Sequence, residues 1–232
     1  MIETIHWHTL HPRYLSANSR VLDLGANYGM FTDAIVQRFG CQCVAVEPSP
    51  VPFAAIRTGP RVSKLCTAVS NYSGMTEFHV AEESTRSSLI SGPTNNVVQV
   101  PVTTLPDLIR NLGWDRVDLL KVDIEGAEIP MLAECPDELL QRIAQMSVEF
   151  HDFNAVTPRS DVRKTLDRLS QLGFCSVRMS RVGHQDTWIV NQKMLGIATS
   201  EILFTRWAIR NWFGAKRVMQ KFRRPRGAVS RA

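Results

Sequence analysis

Short apolar runs that alternate with helix-patterned stretches constrain this chain more than any other feature. The runs Val21 to Leu24, Cys43 to Val46, Ser63 to Ala68, Asp118 to Val122 and Met146 to Phe150 read as strands. Met30 to Phe39, Val51 to Arg57, Leu105 to Leu112 and Asp161 to Leu172 read as helices. Alternation of this kind builds βαβ units around a parallel sheet, because a parallel strand pair needs a crossover connection. Phe174 to Met179 and Thr187 to Asn191 flank a turn holding Gly183 and read as an antiparallel hairpin. The fold expected is therefore α/β: a doubly wound, Rossmann-like, mostly parallel sheet with a terminal antiparallel hairpin. The stretch up to Arg20 has weak periodicity and is expected to cover an edge of the domain. Thr76 to Pro101, with Ser84 to Ser91 inside it, reads as an irregular polar insertion and a candidate lid.

A length of 232 residues suits one such domain and would cramp two. Charge divides the chain into a body, 1–199, and a tail, 200–232. From Glu201 onward nine Lys or Arg face one acid, a tail of +8, so the first 200 residues carry −3 and the whole-chain +5 originates in an appendage. The five cysteines, Cys41, Cys43, Cys66, Cys135 and Cys175, are odd in number and lack C-x-x-C spacing, which argues against a disulfide framework and a zinc site. No apolar run reaches the length of a spanning helix, and Met1 to Arg13 lacks the apolar centre of a secretory signal. A cytoplasmic chain is expected.

The chemistry-bearing residues fall where strands end. Val21-Leu-Asp-Leu-Gly-Ala-Asn-Tyr-Gly29 is a strand that breaks into Gly25-x-x-x-Gly29 and opens a helix, a turn over which a ligand can approach the backbone. A dinucleotide fold uses the same position, but its G-x-G-x-x-G loop cradles a pyrophosphate. Here Asp23 precedes the glycine and Asn27 stands in place of the middle glycine. An acid at that mouth disfavours phosphate and favours a cationic cofactor such as S-adenosylmethionine. Glu47, after Val44-Ala-Val, is placed to accept hydrogen bonds from ribose hydroxyls.

Further on, Asp118-Leu-Leu-Lys-Val-Asp-Ile-Glu-Gly-Ala-Glu128 puts Lys121 and Asp123 on one strand face and Asp123, Glu125 and Gly126 at the ligand-binding edge. For Lys121, a buried structural pair with an acid stands level with a role in the site. In Ser147-Val-Glu-Phe-His-Asp-Phe153, Glu149 and His151 share a face at a strand end. Methyl transfer to an alcohol needs a base for the hydroxyl proton, and histidine titrates near neutral pH. The Asp123, Glu125 and His151 set also has the composition of a divalent-cation site, but direct acid–base use is the expectation. No metal is expected there or at His6, His8 and His11, which lack a coordinating pattern.

Taken in order, V-L-D-L-G-A-N-Y-G, V-A-V-E-P, A-V-S-N-Y-S-G, L-L-K-V-D-I-E-G-A-E and V-E-F-H resemble the FkbM-type methyltransferases from about Arg20 to about Asn191. The resemblance implies a class I methyltransferase fold and S-adenosylmethionine as cofactor. It implies cofactor contacts from Asp23, Gly25, Asn27, Gly29 and Glu47, with Ser70 and Asp123 near the adenosyl group. Asp123, Glu125, Glu149 and His151 would face the transferred methyl, and the acceptor would be a hydroxyl of a sugar, glycolipid or secondary metabolite. One departure is Pro106 in Val102-Thr-Thr-Leu-Pro-Asp, where the family has an acid; proline is tolerated in a first helical turn.

Outside the resemblance, the tail projects Phe204, Trp207, Ala208, Trp212, Val218, Met219 and Phe222 on one side of a helix and Arg206, Arg210, Arg217 and Lys221 on the other, with Leu203, Ile209 and Phe213 breaking the pattern. Such a helix either lies on an anionic membrane surface or docks on the body or a neighbouring subunit. Nucleic acid is not an expected partner, since the body offers no recognition motif. The alternatives to an O-methyltransferase are a nicotinamide-dependent oxidoreductase and a non-catalytic module tethered through the tail.

Overall fold

The computed structural model describes residues 2–79, 97–153, 157–181 and 183–223, the side chains of 210 and 213–223 excepted. An N-terminal hairpin, β1 (Glu3–Ile5) and β2 (His8–Leu10), precedes β3 (Arg20–Leu24), α1 (Met30–Phe39), β4 (Gln42–Val46), α2 (Pro50–Ala55) and β5 (Val62–Leu65). Next come β6 (Ala68–Ser70), β7 (Gly74–His79), β8 (Val97–Thr104), α3 (Leu105–Asn111), β9 (Leu119–Val122), α4 (Glu128–Glu134), α5 (Asp137–Leu140) and β10 (Gln145–Phe150). The chain finishes with α6 (Arg159–Gln171), β11 (Phe174–Arg178), β12 (His184–Asn191), α7 (Gln192–Leu195) and α8 (Thr199–Arg223).

Seven strands form the central sheet in the order β11-β12-β10-β9-β3-β4-β5. From β5 to β10 every pair is parallel, and β12 is antiparallel to both of its neighbours. The chain winds outward from β3 to β5 and then resumes at β9 on the other side, so the order reverses between β3 and β9. Open sheets of this type bind ligands outside the carboxyl ends of the strands at that reversal. The parallel strands are rich in apolar residues: Leu22, Leu24, Val44, Val46, Leu120, Val122, Met146 and Val148 pack with α3, α4 and α6 into the main core. Helix α1 is bounded by glycines in left-handed backbone, Gly29 at φ 78° and Gly40 at φ 65°, and buries Phe31 and Ile35 against a second cluster. Thr104 caps α3 by accepting from the Asp107 amide, and Pro106 sits in the first turn, where its missing N–H leaves nothing unpaired.

Two features differ from the reading of the sequence. Ser63 to Ala68 is not one strand: it splits into the end of β5 and the start of β6, and β6 pairs with β8 in a separate three-stranded sheet with β7. The ends of the supposed irregular insertion are strands β7 and β8, because Phe78, Val100 and Val102 alternate with polar residues and bury one face with Ala68. The lid assigned to Ser84 to Ser91 lies outside the described residues. At the tail, α8 begins against the body, one of the two alternatives for it: Ile202 packs with Val177, Trp188, Val190 and Ile197, and Arg206 donates to the Ser176 carbonyl at 2.8 Å. Ile209, which spoils the helical projection, packs against this same cluster. Leu203, Phe204, Trp207 and Trp212 stay exposed.

Candidate functional site

The loop between β3 and α1 is fixed by its backbone. Gly25, Asn27 and Gly29 all have positive φ, at 74°, 51° and 78°. The amides of Gly25 and Ala26 both donate to the Val46 carbonyl, tying the loop to the end of β4. Gly25 is needed for a protein contact: a Cβ there would lie 1.7 Å from the Asp123 carbonyl oxygen. The close approach is thus between the ends of β3 and β9, which corrects the expectation that ligand room sets this glycine. At Gly29 the same space is taken by Ile56 at 3.3 Å.

Glu47 closes the other side of the loop. Its two oxygens accept from the Asn27 amide and the Ser49 amide, each at 2.8 Å. Burial raises its pKa, and those two N–H groups pull in the opposite direction. A carboxylate has further lone pairs on each oxygen, so Glu47 remains able to accept from a diol. Asn27 Oδ1 is buried without a hydrogen-bond partner among the described residues, an acceptor in want of a donor.

Asp23 departs from its expected role. Strand register places Asp23 beside Lys121, and both are buried. The Lys121 ammonium lies 3.1 Å from Asp23 Oδ1 and donates to the carbonyls of Leu24 and Gly25, while Thr32 donates its hydroxyl to Asp23 Oδ2 at 2.6 Å. Burial opposes charge on Lys121, but Asp23 and Asp123 overcome it and raise its pKa. The charge of Asp23 is therefore spent on a buried pair beneath the loop and does not stand at the mouth of the site.

Beyond the ends of β9 and β10 a second cluster forms. His151 is buried; its Nδ1 donates to Glu128 Oε1 at 2.8 Å, and its Nε2 lies 3.2 Å from Glu125 and 3.8 Å from Asp123. Burial disfavours a charged ring, yet hydrogen bonds to Glu125 and Glu128 outweigh it and hold the pKa up to about 11. His151 is thus an imidazolium at neutral pH, which corrects its expected part as the base. Glu149 goes the other way: burial first, then repulsion from Asp123, pushes its carboxyl up to about 7. Its carboxylate accepts no hydrogen bond from the described residues. Asp123 is driven by burial upward but by Lys121 and His8 more strongly downward, to about 2.

Asp123, Glu125 and His151 also bring ligand atoms within 4.8 Å of one another, the spacing of a three-ligand cation site. A cation there would have to displace the proton that Nε2 now shares with Glu125. Two members escaped the reading of the sequence. Glu128, buried in the first turn of α4, accepts from the amides of Ile124 and Gly126 as well as from His151, so it anchors both the turn and the ring. Its place three residues after Glu125 in the E-G-A-E run is the signal for it. His8 reaches Asp123 at 3.7 Å from the N-terminal hairpin, while His11 pairs with Glu201 of α8 at 3.0 Å. Nothing local in the sequence places His8 here. Ser70 ends β6, is buried, and donates to Asn71 Oδ1 at 3.3 Å; among the described residues no hydrogen bond joins it to Glu47 or the loop.

The profile described as the methyltransferase FkbM domain matches residues 23–175, more than half of the chain. The chain is 30% identical over 169 residues to the 31-O-demethyl-FK506 methyltransferase FkbM of Streptomyces tacrolimicus, covering 57% of this chain and 65% of that protein. It is 25% identical over 163 residues to methyltransferase 1 of Beauveria bassiana, covering 58% of this chain and 66% of that one. The matches thus span slightly under two thirds of these relatives. Among solved structures, the methyltransferase FkbM of Methylobacillus flagellatus superposes with a TM-score of 0.51 at 12% identity, over 76% of this chain and 44% of the other, which bears on the fold alone.

Proposed function

This chain belongs to the FkbM methyltransferase family, and from that premise we propose that it is an S-adenosylmethionine-dependent O-methyltransferase acting on a hydroxyl of a sugar, glycolipid or secondary metabolite. The observation that carries the reading is Glu149: a carboxylate with no hydrogen-bond donor among the described residues, at the end of β10, near Asp123 and an ion-paired imidazolium. The residues suit the cofactor. Glu47 can accept from the ribose hydroxyls, the unpartnered Asn27 Oδ1 offers an acceptor to a cationic donor, and the carboxylates of Asp123, Glu125 and Glu128 outnumber the single imidazolium they surround. S-adenosylmethionine supplies an electrophilic methyl on a sulfonium centre.

The protein's own work is to orient the acceptor and receive its proton. A base is most effective when its pKa lies near the working pH, and a Glu149 value of about 7 meets that condition. Asp123 and Glu125 flank the position, and His151, held by Glu128, keeps those two carboxylates in place as a positioning residue. With labelled S-adenosylmethionine and hydroxylated acceptors, methyl transfer is expected to rise with pH through about 7 and then level off as Glu149 loses its proton. Glu149→Gln is expected to lower the rate about 10²- to 10⁴-fold. A rate indifferent to Glu149→Gln, or label found on nitrogen instead of oxygen, contradicts the assignment.

A separate feature supports contact with an anionic membrane surface. Along α8 the exposed Leu203, Phe204 and Trp207 follow one another within little more than a turn, Phe204 and Trp207 stacked at 5.8 Å, in a tail of charge +8. No helix among the described residues is long and apolar enough to cross a membrane.

A further inference from the structure

We propose that the cleft between α6 and the β11–β12 hairpin is an acceptor subsite for a phosphate-type anion, so that the molecule methylated here carries a phosphate or diphosphate beside its hydroxyl. The inference rests on the methyl-transfer reading, because it takes the cleft as part of the acceptor site.

The cleft has a volume of about 660 Å³ and is lined by Asp152, Arg159, Arg163, Arg178, Arg181 and His184 among others. It is linked to the candidate active site through the chain, since Asp152 follows His151 and Phe150 pairs with His184 across the β10–β12 register. Its volume falls in the roughly 300–1,000 Å³ range of small-molecule pockets. The arginines converge from separate elements: Arg159 and Arg163 from the start of α6, Arg178 from the end of β11, and Arg181 from the turn beyond it.

Two acids, Asp152 and Asp167, line the cleft against four arginines. Asp152 is buried and already satisfied: its two oxygens accept from the His184 amide at 2.7 Å and from His184 Nδ1 at 2.8 Å, and Arg159 stands 3.9 Å away. Asp161 in the first turn of α6 pairs with Lys164 at 3.1 Å. Arg163 and Arg178 have no carboxylate partner among the described residues, although Asp167 lines the same cleft. The first turn of a helix also repels cations, because its free N–H groups carry the positive end of the macrodipole. A solvated basic face would gain nothing by gathering like charges around one concavity at a helix N-terminus. An anion with several oxygens relieves that repulsion, and the guanidinium fork matches phosphate geometry.

The test uses the full chain and inorganic pyrophosphate, titrated by calorimetry at low ionic strength, with S-adenosylhomocysteine titrated in parallel. Both Arg163 and Arg178 are exposed, so an Arg163→Ser, Arg178→Ser double variant is expected to fold. Pyrophosphate is expected to bind the wild type and to lose about tenfold or more in affinity in the double variant, while S-adenosylhomocysteine binds both equally. No pyrophosphate binding by the wild type, or equal binding by the variant, overturns the inference and leaves the methyl-transfer reading untouched. If the double substitution alters only retention on phosphatidylcholine vesicles containing phosphatidic acid, the basic cleft serves a lipid surface and the acceptor subsite is refuted. Failure of S-adenosylhomocysteine itself to bind counts against the underlying reading.

Discussion

At the scale of single residues, burial assigns opposite fates to groups that look alike in the sequence. Asp23 and Glu47 are both acids near strand ends, yet one is neutralised by Lys121 and the other keeps acceptor capacity beside an unpartnered amide oxygen. Removing one partner from a buried ion pair strands the other charge in a poor solvent, whereas replacing both leaves an apolar contact. Lys121→Met alone is accordingly expected to cost about 3–5 kcal/mol in urea unfolding, and Asp23→Leu with Lys121→Met much less than the sum of the single changes. Additive costs contradict a direct pair. The sequence made Lys121 ambiguous because alternation fixes the face of a residue, and only the register of β3 against β9 fixes its neighbour. The proton state of His151 is hidden in the sequence for a related reason: a free histidine titrates near neutrality, and the two carboxylates that lock its proton come from a turn and a helix whose approach no spacing rule gives.

At the scale of elements, the strands and crossover helices were legible because their apolar periods are strong, and the motifs fell at the strand ends where the fold needs them. The small sheet was not, since Phe78, Val100 and Val102 lie on strands far apart in the chain and look polar when read as one segment. Least legible was the N-terminal hairpin, which brings His8 to Asp123 and is secured by Asp186 of β12. Thr9 donates its amide and its hydroxyl to Asp186 at 3.2 and 2.6 Å. Asp186→Ala is expected to destabilise the fold by about 1–3 kcal/mol and to speed amide exchange at Thr9. Burial raises the Asp186 pKa above 3.8, with the Thr9 bonds opposing. The folded state then holds this proton more tightly than the unfolded chain, so the stability it contributes is present below 3.8 and lost as pH rises through the folded value. Measured against Asp186→Asn, the wild type is expected to lose stability across that window; an equal pH slope in both argues against it.

At the scale of the whole molecule, a negatively charged body carries a basic helix whose start is packed into its core through Ile202 and Ile209. Ile202 anchors α8, and the exposed Phe204 and Trp207 stand clear of the sheet. The full chain is expected to sediment with vesicles containing anionic lipid, less so at high salt, whereas a chain ending at residue 199 or vesicles of neutral lipid alone show little binding. Equal sedimentation of the shortened chain contradicts a membrane role for the helix. The central claim concerns the pocket formed by the loop after β3 and by Glu47, and calorimetry with S-adenosylhomocysteine tests it most directly. The account predicts one binding site per chain, weakened about 10- to 100-fold by Glu47→Ala, whose charged hydrogen bonds to a diol are worth about 1.5–3 kcal/mol. Absence of binding by the folded wild-type protein, or a site that takes NADH instead, would contradict it.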